Sequence, residues 1–199
     1  MVIGRLRERV EPALLKFAAA ADSIGIMPWH LSLSALILGL ASFCLVAFLE
    51  NPGWNTMVAV VLYLLSGAMD GLDGALARYQ GSASKWGAFY DSLIDRVCEA
   101  AFILGLMMGG VVQPLAAYLY AVTSQLISYT RARAEALDVS LGGVGLMERA
   151  ERMIILSAIV LLWIYAGIQP DIPIYLLILL NVATVVSRVN FVRLSLRRG

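Results

Sequence analysis

Four aspartates within an otherwise apolar stretch have the residue type and spacing for metal chemistry. Asp70 and Asp73 are three residues apart, and Asp91 and Asp95 are four residues apart. On an α-helix, each spacing places both side chains on one face. Two such helices, joined by the short connection between the pairs, can therefore bring the four carboxylates together.

Four carboxylates gathered at the end of two membrane helices would repel one another unless a cation compensated their charge. Mg²⁺ and Mn²⁺ prefer oxygen ligands, and pairs of such ions suit displacement reactions at phosphorus. We therefore expect the four aspartates to hold Mg²⁺ or Mn²⁺, as two ions, and to serve catalysis at the membrane interface.

Two other interpretations of the aspartates stay open. They could form structural ion pairs with the nearby Arg78 and Arg96. They could also line the pathway of a cation or proton transporter. A pathway usually needs polar groups near the membrane midplane, whereas the acidic groups within these spans all fall in one half of the membrane. That distribution favours catalysis over transport.

The composition indicates what kind of protein carries these aspartates. The chain has 199 residues, of which 60% are hydrophobic and 15% are charged, and its mean hydropathy is +0.81. A soluble domain is less apolar and more charged. These values exclude a disordered chain, an ordinary soluble domain and a disulfide scaffold, and the net charge of +1 argues against binding nucleic acid. We expect an all-α integral membrane protein.

The apolar runs predict six transmembrane helices, since a span needs about 20 mainly apolar residues. The predicted spans are Leu31–Leu49, Asn55–Met69, Trp86–Gly109, Pro114–Glu135, Met147–Ala166, and a last one from Pro173 to about Arg193. Before them, Arg5–Asp22 has the pattern of an amphipathic helix lying along the interface. We expect a single domain over 1–199, with a juxtamembrane helix in 1–24 and the six-helix core in 25–199.

The basic residues predict the orientation. With six spans, all 15 Lys and Arg residues fall on one side of the membrane, and the opposite connections near Asn51–Gly53, Gly109–Gln113 and Gly167–Asp171 contain none. Positive residues favour the cytoplasmic side. Both termini and the aspartates are therefore expected on the cytoplasmic face of the cell membrane.

Residues 70–95 resemble the signature of the CDP-alcohol phosphotransferase family. All eight defining positions occur at the family's spacing: Asp70, Asp73, Gly74, Ala77, Arg78, Gly87, Asp91 and Asp95. The resemblance implies transfer of a lipid-phosphate group from a CDP-activated lipid to an alcohol, with release of CMP. One departure is Pro28–Trp29, which stands where the family often has a Pro-Asn pair.

The resemblance also implies roles for individual residues. Asp70, Asp73 and Asp91 would hold the metal ions, and Asp95 would accept the proton of the acceptor hydroxyl. The small residues and the arginine of the signature would contact the CDP-lipid: Gly71, Gly74, Ala77, Arg78 and Gly87. Gly and Ala open room beside a helix backbone, although they also suit helix–helix packing. Members of the family are commonly homodimers.

The residues around the third and fourth aspartates indicate the acceptor. Asp91–Val97 resembles the branch of phosphatidylinositol-phosphate and archaetidylinositol-phosphate synthases. Phosphatidylglycerophosphate synthases typically have a proline and a lysine where this chain has Ser92 and Arg96. We therefore expect myo-inositol phosphate as the acceptor, with glycerol 3-phosphate as the alternative.

Five arginines at the predicted cytoplasmic ends of the last three spans support a phosphorylated acceptor. They are Arg131, Arg133, Arg149, Arg152 and Arg188. Arginine binds phosphate through two parallel hydrogen bonds, and a neutral alcohol would not need such a cluster. The alternative is that these arginines contact anionic lipid headgroups.

Overall fold

The protein is entirely α-helical in its regular structure over the residues described by the computed structural model, which are 14–48 and 52–197. Seven helices follow one another along those residues. They are α1 over 14–23, α2 Pro28–Phe48, α3 Pro52–Tyr79, α4 Lys85–Met108, α5 Pro114–Glu135, α6 Arg149–Ala166 and α7 Asp171–Leu196.

The six predicted spans correspond to α2–α7, and the largest difference is in α3. The apolar run stops at Met69, but the helix continues for ten further residues to Tyr79. A polar side chain does not interrupt the backbone hydrogen bonds of a helix, and this segment has no proline. Its last turns are held by Ala75 and Leu76, which are buried. Asp70 and Asp73 therefore lie within a helix rather than after one.

Local signals explain several helix ends. Ser84 caps the start of α4, because its hydroxyl accepts a hydrogen bond from the Gly87 amide. Pro114 opens α5, where its missing N–H costs no helical hydrogen bond. Gly167 ends α6 with a left-handed backbone, φ 66°.

Hydrogen bonds between helices show how the bundle is arranged. Ser66 of α3 donates to the Ala35 carbonyl of α2, and Ser42 of α2 donates to the Ala59 carbonyl of α3, so these helices are antiparallel. Similar contacts pair α4 with α5 and α3 with α6 in antiparallel directions. One end of the bundle therefore combines the first turns of α2, α4 and α6 with the last turns of α3, α5 and α7. We call it the carboxylate end.

The centre of the bundle is apolar and well packed. Tyr63 of α3 stacks on Phe102 of α4, with ring centroids 4.1 Å apart, and both are buried in the main core. Many large apolar side chains, such as Ile37, Leu126 and Leu176, point outward instead. Among the helices of the described residues, α2, α3 and α7 are long and apolar enough to cross a membrane. An outward apolar surface of this kind fits lipid rather than water.

Helix α1 covers the predicted N-terminal amphipathic segment only in part, because residues 5–13 lie outside the described residues. Within residues 14–23, Ala18 and Ala21 are buried and pack with Leu31 and Leu76. Gln80, which follows α3, donates to the Asp22 carboxylate at 2.8 Å. These contacts hold α1 against the carboxylate end of α2 and α3.

Candidate active site

Three carboxylates converge at the carboxylate end. Asp70 comes from α3, and Asp91 and Asp95 come from neighbouring turns of α4. Each offers an oxygen that lies within 4.8 Å of an oxygen from the other two. The spacing within α4 places two acids on one face, and the antiparallel neighbour α3 places the third opposite them.

Asp73 belongs to the same region but not to this group of three. It lies one turn after Asp70 and is only 5% exposed. Its Oδ2 accepts a hydrogen bond of 2.5 Å from the Ser32 hydroxyl of α2. The structure therefore brings three of the four predicted ligands together, while Asp73 lies nearby and is hydrogen-bonded to α2.

Two arginines contact the cluster. Arg149 Nη1, from the first turn of α6, lies 2.7 Å from Asp70 Oδ2 and 2.5 Å from Asp95 Oδ1. Arg96 Nη1 lies 3.1 Å from Asp95 Oδ2. The interpretation of the aspartates as structural ion pairs thus finds support in Arg96, whereas Arg78 forms no ion pair within the described residues.

Asp91 is the one carboxylate of the three that forms no ion pair with these arginines. Its Oδ1 is buried and has no hydrogen-bond partner among the described residues. A buried acceptor without a partner is costly. All the ligand atoms that converge here are carboxylate oxygens, and Mg²⁺ and Mn²⁺ prefer oxygen ligands. The residues therefore fit a divalent cation held between α3 and α4.

A cavity of about 570 Å³ opens beside the carboxylates. Asp73 and Asp91 form part of its wall, and Arg78 is also in the wall. Four of the five residues predicted to contact the CDP-lipid line it: Gly74, Ala77, Arg78 and Gly87. Gly71 does not line it. The volume lies within the range of small-molecule sites.

The glycines of the signature keep this cavity open. A Cβ at Gly74 would lie 3.4 Å from Arg78 Nη1, and one at Gly87 would lie 3.2 Å from the Ser84 hydroxyl. Gly105 differs, since a Cβ there would lie 3.0 Å from the Phe43 carbonyl oxygen of α2. Gly74 and Gly87 thus lie in the cavity wall, whereas the lack of a side chain at Gly105 allows close packing of α4 against α2.

The five predicted phosphate-binding arginines lie in different environments. Arg149 contacts the carboxylates, as described. Arg131 is exposed and pairs with Glu135 at 2.9 Å. Arg133 is exposed and forms no ion pair within the described part of the chain.

The remaining two arginines of this group are buried. Arg188 is 2% exposed and donates to the carbonyls of Val144 and Ile127 at 3.0 and 2.7 Å. Arg152 is also 2% exposed, and both of its hydrogen bonds to a side chain go to Glu99. The structure thus brings Arg149 to the aspartates and places Arg152 and Arg188 in the interior.

Sequence reasoning missed three residues that contact or support this site, namely Ser32, Glu99 and Tyr120. Ser32 has no local signal, because its partner Asp73 is 41 residues away. Glu99 lies one helical turn after Asp95 on the same face, so the spacing could have indicated it. Tyr120 donates to Glu99 at 2.9 Å.

Relatives of the chain point to one type of enzyme. It is 31% identical over 198 residues to the archaetidylinositol phosphate synthase of Pyrococcus horikoshii, an alignment that covers 100% of both chains. It is 33% identical over 198 residues to the phosphatidylinositol phosphate synthase of Mycolicibacterium smegmatis, covering 89% of this chain and 82% of the relative.

Solved structures show the same architecture. The phosphatidylinositol phosphate synthase of Mycobacterium tuberculosis with CDP-DAG bound superimposes with a TM-score of 0.73 at 27% identity, covering 90% of this chain and 92% of that one. The same enzyme in complex with manganese and citrate gives 0.72 at 26% identity, covering 90% and 88%. The family model for CDP-alcohol phosphatidyltransferases matches residues 25–189, which include every helix from α2 to α6 and most of α7. The chain is therefore an enzyme of the CDP-alcohol phosphatidyltransferase family.

Proposed function

We propose that the chain transfers a lipid-phosphate group from a CDP-activated lipid to myo-inositol phosphate and releases CMP. The observation that carries this proposal is the position of Asp91, which belongs both to the three converging carboxylates and to the wall of the cavity. A nucleotide pyrophosphate in that cavity would lie directly beside the carboxylates. The names of the relatives support inositol phosphate as the acceptor.

We further propose two Mg²⁺ or Mn²⁺ ions, with Asp70, Asp73 and Asp91 as the main ligands and Asp95 as a further ligand that lies close to Asp70 and Asp91. When bound, such ions would neutralise the non-bridging oxygens of the pyrophosphate. The complex of the Mycobacterium tuberculosis enzyme with manganese supports a divalent cation here. Ser32 fixes the Asp73 carboxylate, which limits the reorganisation needed to bind a cation.

Asp95 is the proposed general base. It would accept the proton of the acceptor hydroxyl as that oxygen attacks the phosphorus bearing the lipid. The new P–O bond forms while the bond from this phosphorus to the CMP oxygen breaks, and CMP leaves with the electron pair. Arg96 and Arg149 contact opposite oxygens of Asp95 and so hold its orientation.

The cavity is the proposed place of the CDP group. Arg78 in its wall would contact the pyrophosphate, and the absence of side chains at Gly74 and Gly87 leaves room for the nucleotide. Gly71 does not line the cavity. Its contribution would be to let the CDP-lipid come close to the backbone of α3. The lipid chains would enter from the side, where Phe89 and Leu93 of α4 present an exposed apolar surface.

The membrane arrangement belongs to the same proposal. We place α2–α7 across the bilayer as six spans, with the carboxylate end and both termini in the cytoplasm. Every Lys and Arg of the described residues lies in α1, in the half of a helix nearer the carboxylate end, or just after α7. This asymmetry supports the orientation. We also propose a homodimer, as is common in the family.

The acceptor is tested with purified protein, a CDP-activated lipid and each candidate alcohol phosphate in turn. We expect metal-dependent CMP release with inositol phosphate and a new phospholipid product. Release with glycerol 3-phosphate alone would instead assign a phosphatidylglycerophosphate synthase. The reaction is run in detergent, where no ion gradient exists, so that CMP release also excludes a transporter as the explanation of the carboxylates.

Replacing Arg133 with alanine is expected to raise the KM for inositol phosphate about tenfold or more, because a charge-assisted hydrogen bond to phosphate would be lost. The KM for the CDP-lipid should stay within about twofold, since Arg133 does not line the cavity. Arg193→Ala, an exposed arginine of the last turn of α7, is the matched control. Equal loss for both substrates would contradict the acceptor role.

A further inference from the structure

A buried ion pair lies one helical turn inside the carboxylates. Arg152 Nε and Nη2 donate to the two oxygens of Glu99, each at 2.7 Å. Tyr120 of α5 donates to the same carboxylate at 2.9 Å, and Arg152 Nη1 donates to the Met147 carbonyl at 3.2 Å. All three side chains are nearly inaccessible. The group therefore joins α4, α5 and α6 through a fully occupied set of hydrogen bonds.

This pair forms one of two rungs between the same two helices. Asp95 and Glu99 are successive turns of α4, while Arg149 and Arg152 are successive turns of α6. The outer rung is Asp95–Arg149, and the inner rung is Glu99–Arg152. Both rungs have the acid on α4 and the arginine on α6. The same rotation of α6 about its axis therefore forms the Glu99–Arg152 pair and directs Arg149 to Asp95.

Besides these rungs, the described residues of α4 and α6 share only the apolar side chains that both helices contribute to the main core. The close contact of α6 is with α3, where a Cβ at Gly67 would lie 2.5 Å from Met153 Sδ. Toward α4, the connection runs through long side chains rather than adjacent backbones. A bidentate pair between a planar guanidinium and a carboxylate has a strict geometry. The inner rung therefore constrains the rotation of α6 relative to α4, in addition to the apolar packing.

We propose that Glu99, Arg152 and Tyr120 are positioning residues that orient Arg149 against Asp95 and Asp70. This inference rests on the proposed transfer reaction. Arg152 acts through Glu99 and does not touch the acceptor phosphate, because each of its three guanidinium nitrogens already donates to Glu99 or to the Met147 carbonyl. The expected role of Arg152 as a phosphate ligand is replaced by a role in placing Arg149.

The main test replaces the pair by methionines, Glu99→Met with Arg152→Met. Removing both partners avoids a lone buried charge, and such apolar replacements often keep a protein folded. We expect kcat with inositol phosphate to fall about tenfold or more, since small misplacements in an active site are costly. The KM for the CDP-lipid should stay within about twofold, because none of the three residues lines the cavity.

A double-mutant cycle with Arg149→Ala separates positioning from general destabilisation. If the inner rung acts through Arg149, adding the two methionines to Arg149→Ala should cause no further loss of kcat. If the loss of kcat from the methionines multiplied with the loss from Arg149→Ala, the two would act independently, and the proposal would be overturned. An unchanged kcat in a methionine variant that shows a normal cooperative unfolding transition would also overturn it.

Arg152→Lys provides the test if the methionine variant does not fold. Lysine keeps the positive charge but cannot form two parallel bonds, so we expect an intermediate loss of kcat, and an unchanged kcat would overturn the proposal. Tyr120→Phe should cause a smaller loss than Arg152→Lys, while Tyr118→Phe, an exposed residue of the same helix, should cause none. If the wild-type protein itself releases no CMP, it is the proposed function that fails.

Discussion

Asp91→Asn is expected to lower the rate of CMP release by about 10³-fold, comparable to the upper effect of removing one charge-stabilising group from an active site. Asparagine keeps the shape of the side chain but removes the negative charge that would attract a divalent cation. Asp91 has a buried oxygen without a partner among the described residues, and it borders the cavity. The measurement is CMP release, together with direct Mn²⁺ binding by electron paramagnetic resonance.

The matched control for this substitution is Asp138→Asn. Asp138 is exposed in the connection after α5 and has φ 56°, a backbone conformation that asparagine also tolerates. The same loss of a carboxylate at that position should leave both CMP release and Mn²⁺ binding unchanged. Normal Mn²⁺ binding by Asp91→Asn would contradict the assignment of Asp91 as a ligand.

Removing divalent cations with a chelator is expected to abolish CMP release, and adding back Mg²⁺ or Mn²⁺ should restore it. Arg149 and Arg96 form ion pairs with Asp70 and Asp95 but not with Asp91, so three carboxylates share two cations in the metal-free cluster. A cation at 100 times its Kd should therefore stabilise the fold by about 2.7 kcal/mol through linkage. Thermal unfolding in detergent with and without the metal measures this effect.

The substitution of Asp91 and the removal of the metal should affect the same site, so their results can be compared. Asp91→Asn should lose the stabilisation by metal as well as the activity, whereas Asp138→Asn should keep both. If added metal stabilised the wild type and Asp91→Asn equally, the cation would be bound elsewhere. If activity survived thorough chelation, the carboxylates would not be a metal site. They would then be structural ion pairs with Arg96 and Arg149.

Arg149 links the proposed metal site to the basic end of α5. It comes from α6, while the carboxylates come from α3 and α4, so it ties the proposed metal site to the helix that follows the basic end of α5. Arg131 and Arg133, in the last turns of α5, are both exposed, and Arg131 pairs with Glu135.

Local patterns in the sequence were sufficient to predict the helices and to predict that each pair of carboxylates shares a helix face. The spacing of Asp91 and Asp95 depends only on helical periodicity, so it predicts a shared face without any tertiary information. Pro114 and Gly167 mark helix ends for equally local reasons. The extent of α3 was underestimated most, because hydropathy reports the apolar run and not the continuity of the backbone.

The sequence by itself determined a helical chain with the aspartates, the small residues and the arginines at one end of the bundle, because these features follow from spacing and from charge asymmetry. Only the tertiary structure decided which partners meet. Ser32 and Asp73 are 41 residues apart, Glu99 and Arg152 are 53 apart, and Asp70 and Arg149 are 79 apart. Such pairs depend on the rotation and lateral order of helices, which arise from packing over the whole bundle and leave no mark in local periodicity.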